Sequence, residues 1–193
     1  MSTNTAAAAA SIAAAATVVI GACTAGAVLG AANPAPKVSA PDEFAPYIAA
    51  GGRICKQIDE HMIAATLEVS SGFDTEASGA ARQQGPAQFV PSVWRSVGAE
   101  VDDTGRVIGG PGSGDPADPA DATMALSRMM CAIADRQAPA VEAGELRGER
   151  DELVLAAFAV GEKSVLAAGG VPNDREAEHF VDAVTTAAVA GKE

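Results

Sequence analysis

The sequence predicts a mainly α-helical fold, and three observations carry that prediction. No stretch alternates apolar and polar residues at period two, the pattern of a half-buried strand. Several stretches instead repeat apolar residues at three- and four-residue spacing, the pattern of a helix with one buried face. The long run "EVDDTGRVIGGPGSGDPADP" (100–119) is too rich in Gly and Pro to be anything but loop.

The elements follow in chain order. Residues 6–32, "AAAAASIAAAATVVIGACTAGAVLGAA", carry no charge, and the first charged residue is Lys37. A stretch of that length and composition predicts a signal peptide or membrane anchor over 1–32, with small residues before "NPAPK" suiting cleavage near Ala32. Cys23, in "IGAC", is a candidate for lipidation. Residues 33–46 are Pro-rich and aperiodic, which predicts a linker, with the folded domain running over 47–190. In "ICKQIDEHMIAATLEVSSGF", Ile58, Met62, Ala65 and Val69 form a buried stripe that Ile54 extends backwards. Ile63 and Leu67 lie beside it, and Glu60, His61, Ala64 and Glu68 make the solvated side. Gly72 marks the stop. Gly85 and Pro86 break the chain, and Pro91 with Ser92 starts a short helix. Ala122, Leu126, Met129, Met130 and Ile133 predict an amphipathic helix. One or two helical pieces follow in 149–170, and a last helix is capped by Asn173 or Asp174.

Thirteen basic against 25 acidic residues leave a net charge of −12, which argues against nucleic acid or an anionic membrane surface as the main ligand. Membrane contact is expected only through residues 6–32. Apart from Cys23, the cysteines are Cys55 and Cys131, both in helix-patterned segments; they form either one bridge or two separately buried thiols. A bridge belongs to an oxidising compartment, which agrees with an exported chain.

The order of the motifs carries a resemblance. "SSGF" (70–73), "GPAQFVPSVW" (85–94), "DPADA" (118–122), "AFAVG" (157–161) and "EAEHFV" (176–181) follow one another as Glu-Ser-Gly-Phe, Gly-x-x-Gln, Pro-x-Ala-Asp, Ala-Tyr-Asn-Ala-Gly and Glu-Thr-x-x-Tyr-Val do in another group of proteins. Over about residues 47–185 the chain resembles the SLT-type lytic transglycosylases of the lysozyme-like superfamily, in the secreted actinobacterial style. That resemblance implies a lysozyme-like helical domain that recognises peptidoglycan glycan strands, with no cofactor and no metal. It also implies that Cys55 and Cys131 form the disulfide of secreted members.

The family cleaves the MurNAc-GlcNAc β-1,4 bond without water. One glutamate, its pKa raised by an apolar pocket, protonates the leaving oxygen and then takes a proton from the sugar's 6-hydroxyl. Ser70 occupies the position of that acid, and a hydroxyl is far too weak an acid to replace it. Substrate-binding positions implied by the resemblance are Ser71, Gln88, Phe89, Phe158 and Glu176. Phe158 stands where a tyrosine is usual and Ala159 where an asparagine is usual, so the centre is eroded beyond the acid. The expected function is glycan-strand recognition with weak or absent turnover. An active enzyme using a displaced carboxylate, Asp74 or Glu76, is one alternative; a structural scaffold in an envelope assembly is the other. Glu68 lies about 200° around the helix from Ser70 and points away.

Other constellations are weaker. "DDTG" (102–105) lacks the alternating oxygen ligands of a calcium loop. His61 and His179 do not make a zinc set. No Gly-x-Ser-x-Gly elbow surrounds Ser70 and Ser71. Trp94 is expected in the core or the groove wall rather than as a sugar platform.

Overall fold

Asp59 starts the helix on which the site is built, its carboxylate accepting from the Met62 amide at 2.9 Å. A computed structural model describes residues 38–192, and among them there are seven helices and only isolated β-bridges. These helices are α1 (Ala45–Gly51), α2 (Glu60–Ser71), α3 (Pro91–Val97), α4 (Pro119–Glu142), α5 (Arg150–Val160), α6 (Glu162–Ala168) and α7 (Arg175–Ala190). The mainly α class therefore holds. The apolar stretch 6–32 and Cys23 lie outside the described residues, and no helix among the described residues is long and apolar enough to cross a membrane.

The helix limits follow local chemistry. Gly72 ends α2 in the left-handed conformation, φ 67°, where a side chain would be strained. Asp118 caps α4 through the Ala120 and Asp121 amides, and Asp174 caps α7 through the Glu176 and Ala177 amides. Gly161, at φ 88°, separates α5 from α6.

Helix α7 packs on α5 and α2, and α1 packs on α4. Ile63 and Leu67 from α2, Leu126, Met130 and Ile133 from α4, Leu153 and Leu155 from α5 and Val184 from α7 are all essentially without exposed surface. Each such side chain contributes about 1.5–3 kcal/mol on leaving water. Helices α1 and α4 cross so closely that a Cβ on Gly51 would collide with Ser127.

Three expectations need correction. The packed body begins before Tyr47: Phe44 is fully buried and stacks edge-on to Phe73 at 5.1 Å, with Val38 and Ala40 against the same core. The stretch 38–46 is therefore not a free linker. Helix α2 starts at Glu60 rather than near Ile54, which is 41% exposed, and Cys55 sits in the intervening turn rather than on a helix. Ile58 is buried from that turn, so it continued the helical stripe in sequence without belonging to the helix.

Cys55 and Cys131 form a disulfide, with Cα atoms 6.0 Å apart, closing a 76-residue loop between the turn before α2 and the middle of α4. Two separately buried thiols are thereby excluded. The Gly/Pro-rich run 100–118 is held to α4 by the buried Asp121, whose carboxylate accepts from the Val101 and Asp115 amides, both at 2.8 Å.

Candidate functional site

The chain between α2 and α3 folds back on itself before it reaches the site. Gln84 and Phe89 exchange backbone hydrogen bonds of 3.0 and 3.1 Å, closing a tight loop with Gly85 at φ 69° and Gln88 at φ 52°. Gly85 is there of necessity, since a Cβ would strike the Pro116 carbonyl. Gln88 tolerates the left-handed conformation because the loop ties it down twice: its backbone N and its Nε2 both donate to Gly85 O, at 3.1 and 2.8 Å. The Ser71 hydroxyl donates to Pro86 O at 2.9 Å, fastening the loop to the end of α2.

Beside this loop runs an open groove of about 470 Å³. Ser70 and Val69 from the last turn of α2 line one side, with Gln88 and Phe89 from the loop. The end of α5 supplies Phe158 and Ala159, and α7 supplies Glu176 and Phe180. Ser70, Gln88, Phe89, Phe158 and Glu176 come from four places in the chain, spread over 106 positions, yet all five line one groove.

Ser71 is the exception among the substrate-binding expectations. It is not among the lining residues, and its hydroxyl positions the glutamine loop instead. Trp94 lies behind the wall rather than on it, buried and tilted against Phe89 with ring centroids 5.5 Å apart. The aromatic contact continues from Phe89 to Phe158 at 6.4 Å and from Phe158 to Phe180 at 5.8 Å. This row gives the groove an apolar wall of rings, two of which are only partly buried. Phe180 was not singled out from the sequence, although it lies one helical turn after Glu176 on α7 and so shares its face.

The displaced carboxylates do not reach the groove. Glu68, Asp74 and Glu76 are exposed and absent from its lining, and Asp74 is engaged locally, accepting from the Glu76 amide at 2.9 Å. The one carboxylate lining the groove, among the described residues, is Glu176 in the first turn of α7. It is exposed, rather than set in the apolar pocket that general acid catalysis at neutral pH asks of a carboxyl. The groove thus sets hydroxyl and amide groups beside a wall of rings.

The remaining candidates resolve into local structure. Asp102 accepts from Thr104 Oγ1 at 2.6 Å, from the Thr104 and Arg106 amides at 3.0 Å and from the Arg106 guanidinium at 2.8 Å. The Thr104 hydroxyl first, and then the Arg106 amide, hold its carboxyl far below the usual range. Its oxygens are thus satisfied within their own loop. No group of His, Cys, Asp or Glu among the described residues is arranged to hold a metal ion. Compared with known proteins, the chain matches no family model and no curated protein.

Proposed function

We propose that residues 38–192 form a lysozyme-like domain of lytic-transglycosylase type that binds peptidoglycan glycan strands outside the cytoplasm without cleaving them. The observation that carries this reading is the convergence on one groove of Ser70, Gln88, Phe89, Phe158 and Glu176, which the motif order had assigned to a glycan site. A chance match of short motifs gives no reason for residues from four separate places in the chain to share a cleft. The absence of any buried carboxyl among the lining residues favours binding over turnover. The Cys55–Cys131 disulfide supports an oxidising compartment, and the charge-free stretch 6–32 supports export with either release or anchorage.

The test is incubation with purified cell-wall sacculi, reading released anhydro-muropeptides and protein sedimenting with the wall. The expected result is co-sedimentation with no release. Ser70→Glu alone should restore little, because Phe158 offers no hydroxyl and Ala159 no amide to orient acid and sugar; adding Phe158→Tyr and Ala159→Asn should raise release above the single change. Release by the unaltered protein that disappears in Glu76→Gln would establish a displaced acid. Neither binding nor restorable turnover would leave the scaffold role.

A further inference from the structure

The groove holds one ionised side chain and no counter-charge. None of its lining residues is Lys, Arg or His, and Glu176 is in no ion pair among the described residues. Arg175, the cation adjacent in sequence, does not line the groove. The whole chain carries −12, so the surroundings reinforce a negative potential rather than cancel it. A ligand whose recognition depended on a carboxylate would find no partner here and would meet repulsion from Glu176.

A sugar ring that lies against the wall formed by Phe158 and Phe180 passes beside Glu176, which sits one turn from Phe180 on the same helix. An amino sugar in that place bears either an acetamido group, which is neutral, or a free ammonium, which is cationic. Only the second gains from the carboxylate. We propose that Glu176 is a specificity-determining residue that makes the groove prefer β-1,4-linked glycan carrying free amines over its N-acetylated counterpart. This inference rests on the reading of the groove as a glycan site.

The effect has a ceiling set by exposure. A solvent-accessible ion pair of this kind corresponds to a preference of about two- to fivefold, and it weakens with added salt. The experiment is titration calorimetry on the full chain with two probes: a hexamer of β-1,4-N-acetylglucosamine and the same hexamer fully de-N-acetylated. Measurement at about pH 5 keeps most of the free amines protonated, since the ring and hydroxyl oxygens make a 2-amino sugar a much weaker base than a lysine amine. The expected result is tighter binding of the de-N-acetylated hexamer by about two- to fivefold, loss of that preference in Glu176→Gln, and its persistence in Glu178→Gln. Glu178 is exposed on the same helix, outside the groove lining, and its replacement changes the net charge equally. A circular dichroism spectrum and melting midpoint of Glu176→Gln that match the parent protein show that the variant is folded. Equal binding of both probes overturns the inference and leaves the glycan site standing. A preference reduced as much by Glu178→Gln as by Glu176→Gln also overturns it, in favour of general attraction to an acidic protein. Binding of neither hexamer overturns the glycan reading itself.

Discussion

Gly85 shows how much of the site depends on a single missing side chain. Its positive φ and the Pro116 carbonyl against it mean that Gly85→Ala meets both backbone strain and a collision. We expect a loss of at least about 2 kcal/mol in urea unfolding. Ser71→Ala removes the hydroxyl bond to Pro86 and a long one to Leu67 O, without backbone strain, and serves as the milder control. At this scale the sequence was legible where a residue acts on its neighbours and opaque where it acts across the chain. The break at Gly85-Pro86 and the stop at Gly72 were both readable from local backbone preference. The true partner of Ser71 was not, because Pro86 lies 15 positions on. Phe180 was missed for a related reason: a lone phenylalanine on an amphipathic helix looks like core until the facing α5 residue is known.

The helices themselves were more legible than their ends. Periodicity located α4 through its buried face, and the cap of α7 is Asp174, one of the two positions the sequence offered. The start of α2 went astray because Ile58 is buried from a turn, and spacing alone does not distinguish a buried turn from a further helical turn. Helix α1 was hidden in a Pro-rich stretch, where Pro46 sits in its first turn, a position that needs no amide. The start of α2 and the end of α7 meet where Asp59, the α2 cap, pairs with Lys192 just beyond α7 at 2.8 Å. Burial pushes the Asp59 carboxyl up, but the Lys192 hydrogen bond, the Met62 amide and the Lys192 charge together outweigh it, and the net shift is downward from 3.8. The Asp59 hydrogen bond raises Lys192 above 10.5. The carboxyl's contribution is present above 3.8 and is lost as pH falls through the depressed value; the amine's is present below 10.5 and is lost as pH rises through the raised one. Lys192→Ala should therefore lower stability at neutral pH, by under about 1 kcal/mol because both groups are roughly half exposed. The difference from the parent protein should vanish in strong acid, which melting curves across pH will show.

Across the whole molecule the largest single constraint is the 76-residue covalent loop. In the chain-entropy account such a closure stabilises by about 4 kcal/mol, so Cys55→Ser with Cys131→Ser should lower the free energy of unfolding by roughly that amount in a urea titration. A reductant should do the same to the parent protein and nothing further to the variant. The loop also divides the groove. Ser70, Gln88 and Phe89 belong to the segment the bridge encloses, whereas Phe158, Glu176 and Phe180 lie in the C-terminal segment beyond it. The seam of the cleft is thus the boundary between a chain segment closed on itself by a covalent bond and one held to it by packing and by the Asp59–Lys192 ion pair. Because the bridge does not enclose α5 and α7, their amide protons are expected to exchange through partial opening that leaves the bridge intact, and a strand bound as proposed, by touching both segments, would add a further tie across that seam.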